Sequence, residues 1–144
     1  MNRRDALFAT GALMMASTAK AAADHAHHHH HEGTHPWQAV LDTAGICIEK
    51  GEICLTHCIM LLGEGDKAMA ACATSVREML ASCRALITLA GAESRFAPQL
   101  AALCVDVCKA CEAECKKHAD KHKACRECME SCAECAKACK ARLA

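Results

Sequence analysis

The chain has 144 residues and a formal net charge of zero, with 14 cysteines, 10 histidines and 7 methionines against 2 phenylalanines, 1 tryptophan and no tyrosine. The balanced charge argues against a strongly basic nucleic-acid binder, and no apolar run reaches the ~20 residues that span a bilayer. Aromatic side chains usually supply much of a core's buried area, so something other than hydrocarbon is expected to fill part of this interior.

The first 23 residues read as an export signal. Arg3 and Arg4 precede a mildly apolar run over residues 6–19, and small residues follow that suit cleavage after Ala21 or Ala23. The paired arginines resemble the twin-arginine leader of bacteria, although Asn2 stands where Ser or Thr is usual; an ordinary secretory signal is the alternative. Its removal leaves 14 basic and 16 acidic residues. The expected destination is the periplasm. An oxidising compartment turns unprotected thiols into disulfides, whereas the twin-arginine route carries proteins already folded, often with metal loaded. Residues 24–35, DHAHHHHHEGTH, form a polar tail with five consecutive histidines, suited to metal scavenging or serving only as a solvated leader.

Residues 36–144 are expected to form one domain of four helices. The first spans about 36–62, with Thr34 or His35 as its cap, Pro36 in its first turn and Gly63-Glu64-Gly65 at its end. The second spans about 66–90, with Asp66 as N-cap and Gly91 as the stop. The third runs from about 94 to 120, with Pro98 near its first turn. The fourth covers about 122–142; the break before it, in ADKHK, has neither Gly nor Pro to mark it. No segment alternates with period two. Links this short favour antiparallel neighbours, so the expected fold is all-α, an up-down-up-down four-helix bundle.

The cysteines fall on one stripe per helix. At about 100° per residue, Cys125, Cys128, Cys132, Cys135 and Cys139 lie within roughly 80° of arc, and Cys104, Cys108, Cys111 and Cys115 within roughly 60°. Cys47, Cys54 and Cys58 span roughly 40°; Cys72 and Cys83 nearly eclipse. Off the stripes stand charges that belong in water: Lys123, Arg126, Glu127, Glu130, Glu134, Lys137 and Lys140 on the last helix, and Lys109, Glu112, Glu114, Lys116 and Lys117 on the third. The four stripes therefore face the bundle axis and line a core with sulfur.

Several chemistries compete for such a core. Buried Cys can simply pack as a small hydrophobe. Disulfides are a second reading, but i,i+3 and i,i+4 pairs on one regular helix meet their narrow geometry poorly. The ferredoxin run that wraps an iron–sulfur cluster is absent. Zinc is a third reading: Cys108/Cys111, Cys125/Cys128 and Cys132/Cys135 have zinc-pair spacing, yet they sit mid-helix, where structural zinc pairs usually occupy turns. Copper(I) fits best, being soft, thiolate-seeking and content with two or three ligands. Bare thiolates in a low-dielectric interior are prohibitive. One Cu(I) per thiolate cancels the charge and releases a proton, which gives roughly one ion per cysteine, about a dozen in all.

At this point the sequence resembles the bacterial copper storage proteins. The resemblance runs from Trp37 to the C-terminus and is carried by GEICLTHC (51–58), AMAAC (68–72), DVCKACEAEC (106–115) and CRECMESCAECAKAC (125–139). It implies a cysteine-lined four-helix bundle, a role in storing Cu(I) for copper enzymes such as those of methane oxidation, and, in the exported branch, a tetramer of bundles; no Ser-His-Asp set, phosphate loop or paired catalytic carboxylates stand out, so no enzymatic activity is expected. It also implies an opening at one bundle end lined by His and Met, which falls here on His57 and Met69. Met60 points away from the stripe; Met79 lies on it, where core packing explains it equally. His118 and His122 are expected at the opposite end. Cys104 is an extra sulfur beyond the family pattern. A metallothionein-like protein that sequesters zinc and other soft metals is the alternative, and a disulfide-linked exported bundle a third.

Overall fold

The computed structural model describes residues 35–144. The expected export signal, and the histidine-rich stretch as far as Thr34, lie outside the described residues. Four α-helices make up the architecture: α1 (Gln38–Gly63), α2 (Ala70–Gly91), α3 (Ala97–Lys116) and α4 (Lys123–Leu143), with a short 3-10 turn over Lys67–Met69 before α2. There is no strand among the described residues.

The helix ends show which local signals acted. The residue flanking α1 is Trp37, with no side-chain cap. His35 does not cap the helix as expected; its Nδ1 accepts the Trp37 N–H at 3.1 Å. At the other end Glu64 N–H reaches the Met60 and Leu61 carbonyls, Asp66 N–H returns to the Leu61 carbonyl at 2.9 Å, and Gly65 takes φ +96°. That left-handed step is one glycine makes without steric cost. Asp66 acts as the expected cap, its Oδ1 accepting the Ala68 N–H at 3.1 Å, but it caps the 3-10 turn, so α2 proper starts later than expected.

Gly91 does not stop α2; it is the helix's last residue, and the left-handed turn falls on Glu93 at φ +49°. Ser94 does not begin α3. Its Oγ accepts the Phe96 N–H at 3.3 Å, and the helix starts at Ala97 with Pro98 in its first turn. Proline there lacks only a donor that would have no intrahelical partner. The unmarked break between α3 and α4 comes four residues earlier than expected. The chain leaves α3 at Lys116 through tight turns, with His118 N–H on the Cys115 carbonyl and Lys121 N–H on the His118 carbonyl. Arg126 Nη1 then donates to the Ala119 carbonyl at 3.1 Å, tying the link to α4.

Each helix packs on the two beside it, α1 on α2 and α4, α3 on α2 and α4. The diagonal pairs α1/α3 and α2/α4 nowhere approach within 8 Å between Cα atoms. Up-down-up-down packing thus leaves a central channel for side chains alone. One end, where α1 and α3 begin and α2 and α4 finish, is filled with hydrocarbon: Trp37, Val40, Ala44, Leu86, Ala90, Ala97 and Ala101 are buried. The Arg142 guanidinium lies 4.5 Å over the Trp37 ring and its Nε donates to the Pro36 carbonyl.

Midway along, α1 and α2 come close at Gly51. A Cβ on that residue would lie 2.5 Å from Met79 Cε and 2.9 Å from Leu80 Cδ2. Glycine inside a helix costs about 0.5–1 kcal/mol against alanine, and the close approach is what that cost permits.

Candidate metal centre

All fourteen cysteines are fully buried, and none is disulfide-bonded. The reason is the periodicity: at 3.6 residues per turn each stripe keeps to one face, and charged side chains hold the opposite face in water. The stripes meet in groups whose sulfurs all lie within 4.8 Å of one another. Cys47, Cys83, Cys108 and Cys135 form a ring with one member from each helix. Nearer the α1–α2 turn, Cys54, Cys58, Cys72 and Cys125 form a second group of four. Cys54, Cys115 and Cys128 make a third, and Cys111, Cys128 and Cys132 a fourth. Cys54 and Cys128 each belong to two groups, which makes them candidate bridging sulfurs. Cys104 and Cys139 extend the column toward the hydrocarbon end, outside these groups.

The individual spacings bear on the chemistry. Cys72 and Cys115 are 3.6 Å apart, Cys58 and Cys72 3.7 Å, Cys54 and Cys125 3.8 Å, and Cys83 and Cys108 3.9 Å. Those gaps far exceed a disulfide's ~2.05 Å. Two thiolates about 2.3 Å from one metal stand roughly 3.8 to 4.6 Å apart, for angles from tetrahedral to linear, so small side-chain adjustments admit a soft ion between them. Sulfurs on four rigid helices thus form a ligand lattice without any loop.

The thiols also control one another's ionisation. Cys54 is pushed up from the ordinary thiol value by its hydrogen bonding with Cys115 first, Cys83 by that with Cys104, and Cys132 by that with Cys108; burial adds to each. Cys72 is drawn down chiefly by Cys115 and Cys128 chiefly by Cys111, while Cys135 falls to about 5, chiefly through Cys108. A thiolate that collects S–H donors is stabilised, and the donors hold their protons more tightly. Among the described residues the only buried polar or charged side chains besides the thiols are Ser75 and Ser131. Their hydroxyls donate to the Cys72 and Cys128 carbonyls. No lysine or arginine enters the core to neutralise thiolates; that charge is left for a bound cation.

At the sulfur-rich end, His57 Nε2 lies 2.9 Å from His122 Nδ1, the rings 4.8 Å apart and tilted by 56°. Both rings are partly exposed, and Met69 is fully buried just before Cys72. The expectation for His118 and His122 is corrected here. In this topology the α1–α2 and α3–α4 links share one end, so His118 and His122 stand at the same end as His57 and Met69, not the opposite one. Met60 is half exposed and off the stripe, as expected. Met79 is fully buried, with Sδ 3.4 Å from Cys47 Sγ. Sequence reasoning missed the His57–His122 pair, which counting helix directions would have found.

The sequence matches a family model described as "Csp: Copper storage protein" over residues 33–144. It is 29% identical over 107 residues to the uncharacterized cysteine-rich protein YhjQ of Bacillus subtilis (strain 168), covering 74% of this chain and 95% of that protein. Its fold is similar to apo copper storage protein 3 of Bacillus subtilis, with a TM-score of 0.65 and 29% identity over 74% of this chain and 98% of that one. It is also similar to Cu(I)-bound copper storage protein BsCsp3, with a TM-score of 0.68 and 27% identity over 76% and 99%. The family match, the four-helix fold and the sulfur-lined core agree: the chain belongs to the copper storage protein family.

Proposed function

We propose that this protein stores Cu(I) as a column of thiolate-bound ions, roughly one per cysteine, and acts as a reservoir, not as an enzyme. The observation that carries the proposal is the burial of every cysteine in a core where, among the described residues, no charged side chain is buried to balance a thiolate. Each ion that enters replaces a proton and leaves the interior neutral. Groups of three and four sulfurs that share Cys54 and Cys128 can be divided among two- and three-coordinate sites, which suits an ion content with low coordination. All fourteen cysteines are ligands on this reading, and His57 and Met69, joined by His122, form the entrance through which copper passes.

The remaining parts of the reading rest on the sequence. Residues 1–23 send the protein out of the cytoplasm, by the twin-arginine route, to the periplasm, where its copper supplies copper enzymes. The histidine-rich tail gathers metal. The family resemblance supports a tetramer, and Ile46, Ile53 and Met60, half exposed at seven-residue spacing along α1, offer a face for association.

A second reading, sequestration of zinc, is favoured by one observation. Cys47, Cys83, Cys108 and Cys135 bring four sulfurs from four helices together, the donor set of a closed tetrahedral site. Titration of the reduced protein separates the two. Cu(I) delivered from a chromophoric competitor is expected to fill about one site per cysteine. Saturation after one or two Cu(I), with a few tightly held Zn(II), would overturn storage in favour of the zinc reading.

A further inference from the structure

We infer that Met79 is a Cu(I) ligand in the middle of the tube, its thioether sharing an ion with the Cys47 thiolate. The inference rests on the Cu(I) reading above and goes beyond it, since it places a neutral sulfur within the thiolate column, away from the entrance.

The thiol stripe of α2 has a gap. Along α2 the inward stripe runs Cys72, Val76, Met79, Cys83, all fully buried. The two cysteines are eleven residues apart, about 16 Å along the axis. Over that interval the other helices present Cys54, Cys111, Cys115, Cys128 and Cys132, whereas α2 presents no thiol. Val76 has no donor atom. Met79 has one, and its Sδ lies 3.4 Å from Cys47 Sγ, with Cys132 Sγ 3.7 Å from that same cysteine. Met79 and Cys132 are thus both within reach of an ion bound by Cys47.

Packing accounts for a buried methionine, and here the contact with Gly51 also sets which way its sulfur faces. The Met79 methyl lies over Gly51, where even one added carbon would sit 2.5 Å from it. With the methyl seated against α1, the sulfur is turned toward Cys47. Gly51 lowers the stability of its helix, and leucine would fill a methionine-sized space without a sulfur atom.

Charge supports the assignment. One thiolate, one Cu(I) and one thioether sum to zero, so a Cys47–Met79 site is neutral without help from a neighbour. A site of two unshared thiolates keeps a negative charge in a core with no cationic side chain. A soft thioether is a fitting partner for Cu(I) and a poor one for zinc, so this position also favours copper over its commonest competitor. Methionine's three rotatable bonds let the sulfur retreat the roughly 0.4 to 1.2 Å needed to admit the ion between tetrahedral and linear angles.

The test uses the full chain with selenium in place of methionine sulfur, loaded with Cu(I) and measured by X-ray absorption at the selenium edge beside the Met79→Leu variant. A copper neighbour at bonding distance that is present in the parent and lost or diminished in Met79→Leu is the expected result. A second variant, Gly51→Ala, keeps Met79 but displaces its methyl, and is expected to weaken the same copper–selenium signal. If both proteins load fully and the signal is unchanged by Met79→Leu, Met79 is a packing residue and the inference is overturned while storage stands. If the parent takes up no more than one or two ions, the storage reading fails and this inference falls with it.

Discussion

His57 Nε2 and His122 Nδ1 stand 2.9 Å apart, across the end of the bundle where α1 and α4 meet. The pair joins two helices at the level of Cys58 and Cys125, the outermost sulfurs of their stripes. One ring nitrogen must carry the proton and the other the lone pair. At the proposed entrance a soft cation would meet two imidazole nitrogens before a thiolate, once the shared proton has moved to the other nitrogen of its own ring. Replacing both rings, His57→Ala with His122→Ala, is expected to slow copper uptake by about tenfold, about 1.4 kcal/mol on the barrier. Final capacity should stay within about one ion of the parent, because charge is balanced by thiolates and not by imidazole. Stopped-flow transfer from a coloured Cu(I) complex gives the rate, and equilibrium titration the capacity. Unchanged rates would remove the histidines from the entrance.

Not all sulfurs are equivalent. Cys54 belongs to two of the close groups, whereas Cys104 belongs to none. By charge neutrality each removal costs about one ion. Cys54→Ala is expected to do more, loosening the ions its sulfur bridges by about tenfold in dissociation constant, about 1.4 kcal/mol. Cys104→Ala should lower the count and leave the remaining affinities alone. Competition titrations of the two variants check this, and equal effects on affinity would argue that the groups are not bridged.

The cysteine stripes and the inward sulfur column were legible because two signals agree at every turn: thiols recur at three- and four-residue spacing, and charges such as Glu130, Glu134 and Lys137 occupy the opposite face. The helix ends were less legible. Gly91 looks like a stop, yet Ser94 N–H bonds to the Leu89 carbonyl at 2.9 Å and the left-handed residue becomes Glu93. The exit from α3 carries no glycine or proline; it is set by successive short-range turns and by Arg126 holding the Ala119 carbonyl. The end at which His122 stands is illegible for a different reason. Local spacing says which face a residue takes, while the end it occupies depends on counting helix directions. The orientation of Met79 was not legible at all, since it depends on how closely α2 approaches Gly51.

The copper-free protein is expected to lose stability above the ordinary thiol value of 9.0. In the unfolded chain Cys54, Cys83 and Cys132 ionise near that pH; in the fold they are pushed above it and keep their protons. As pH rises through 9, the unfolded state therefore sheds protons that the native state retains, and stability falls by about 1.4 kcal/mol per pH unit for each thiol so held. Cys135 acts in the opposite direction. Lowered to about 5, it contributes stability that is present above the unfolded value and is lost as pH falls toward 5. The two effects together place the maximum near pH 9. Urea unfolding of the apo protein between pH 5 and 11 tests the sign on each side. Copper-loaded protein, whose thiols have already given up their protons, should show no decline above pH 9.

Copper should also hold the fold together. The buried side chains larger than cysteine are few, namely Trp37, Val40, Met69, Val76, Met79, Leu80 and Leu86, and three of them sit toward the hydrocarbon end. Elsewhere thiols dominate the centre, and most of the larger apolar side chains around it, such as Leu55, Leu61 and Val107, are only partly buried, which offsets less of the chain entropy than full burial would. An ion that binds the native state and not the unfolded chain adds about 2.7 kcal/mol when its free concentration is a hundred times its dissociation constant. At about 4 °C per kcal/mol, one such site raises the melting temperature by roughly 10 °C. Because a site between two helices pins them both, the first ions in the Cys54–Cys58–Cys72–Cys125 group, which joins α1, α2 and α4, should give the largest increments, and later ions smaller ones. Thermal melts followed by circular dichroism after stepwise Cu(I) addition read this directly, with a thiol-competing chelator reversing it. A melting temperature that stays flat as the ions enter would mean that the thiols of the unfolded chain hold Cu(I) as tightly as the bundle does, so that the column has no part in holding the helices.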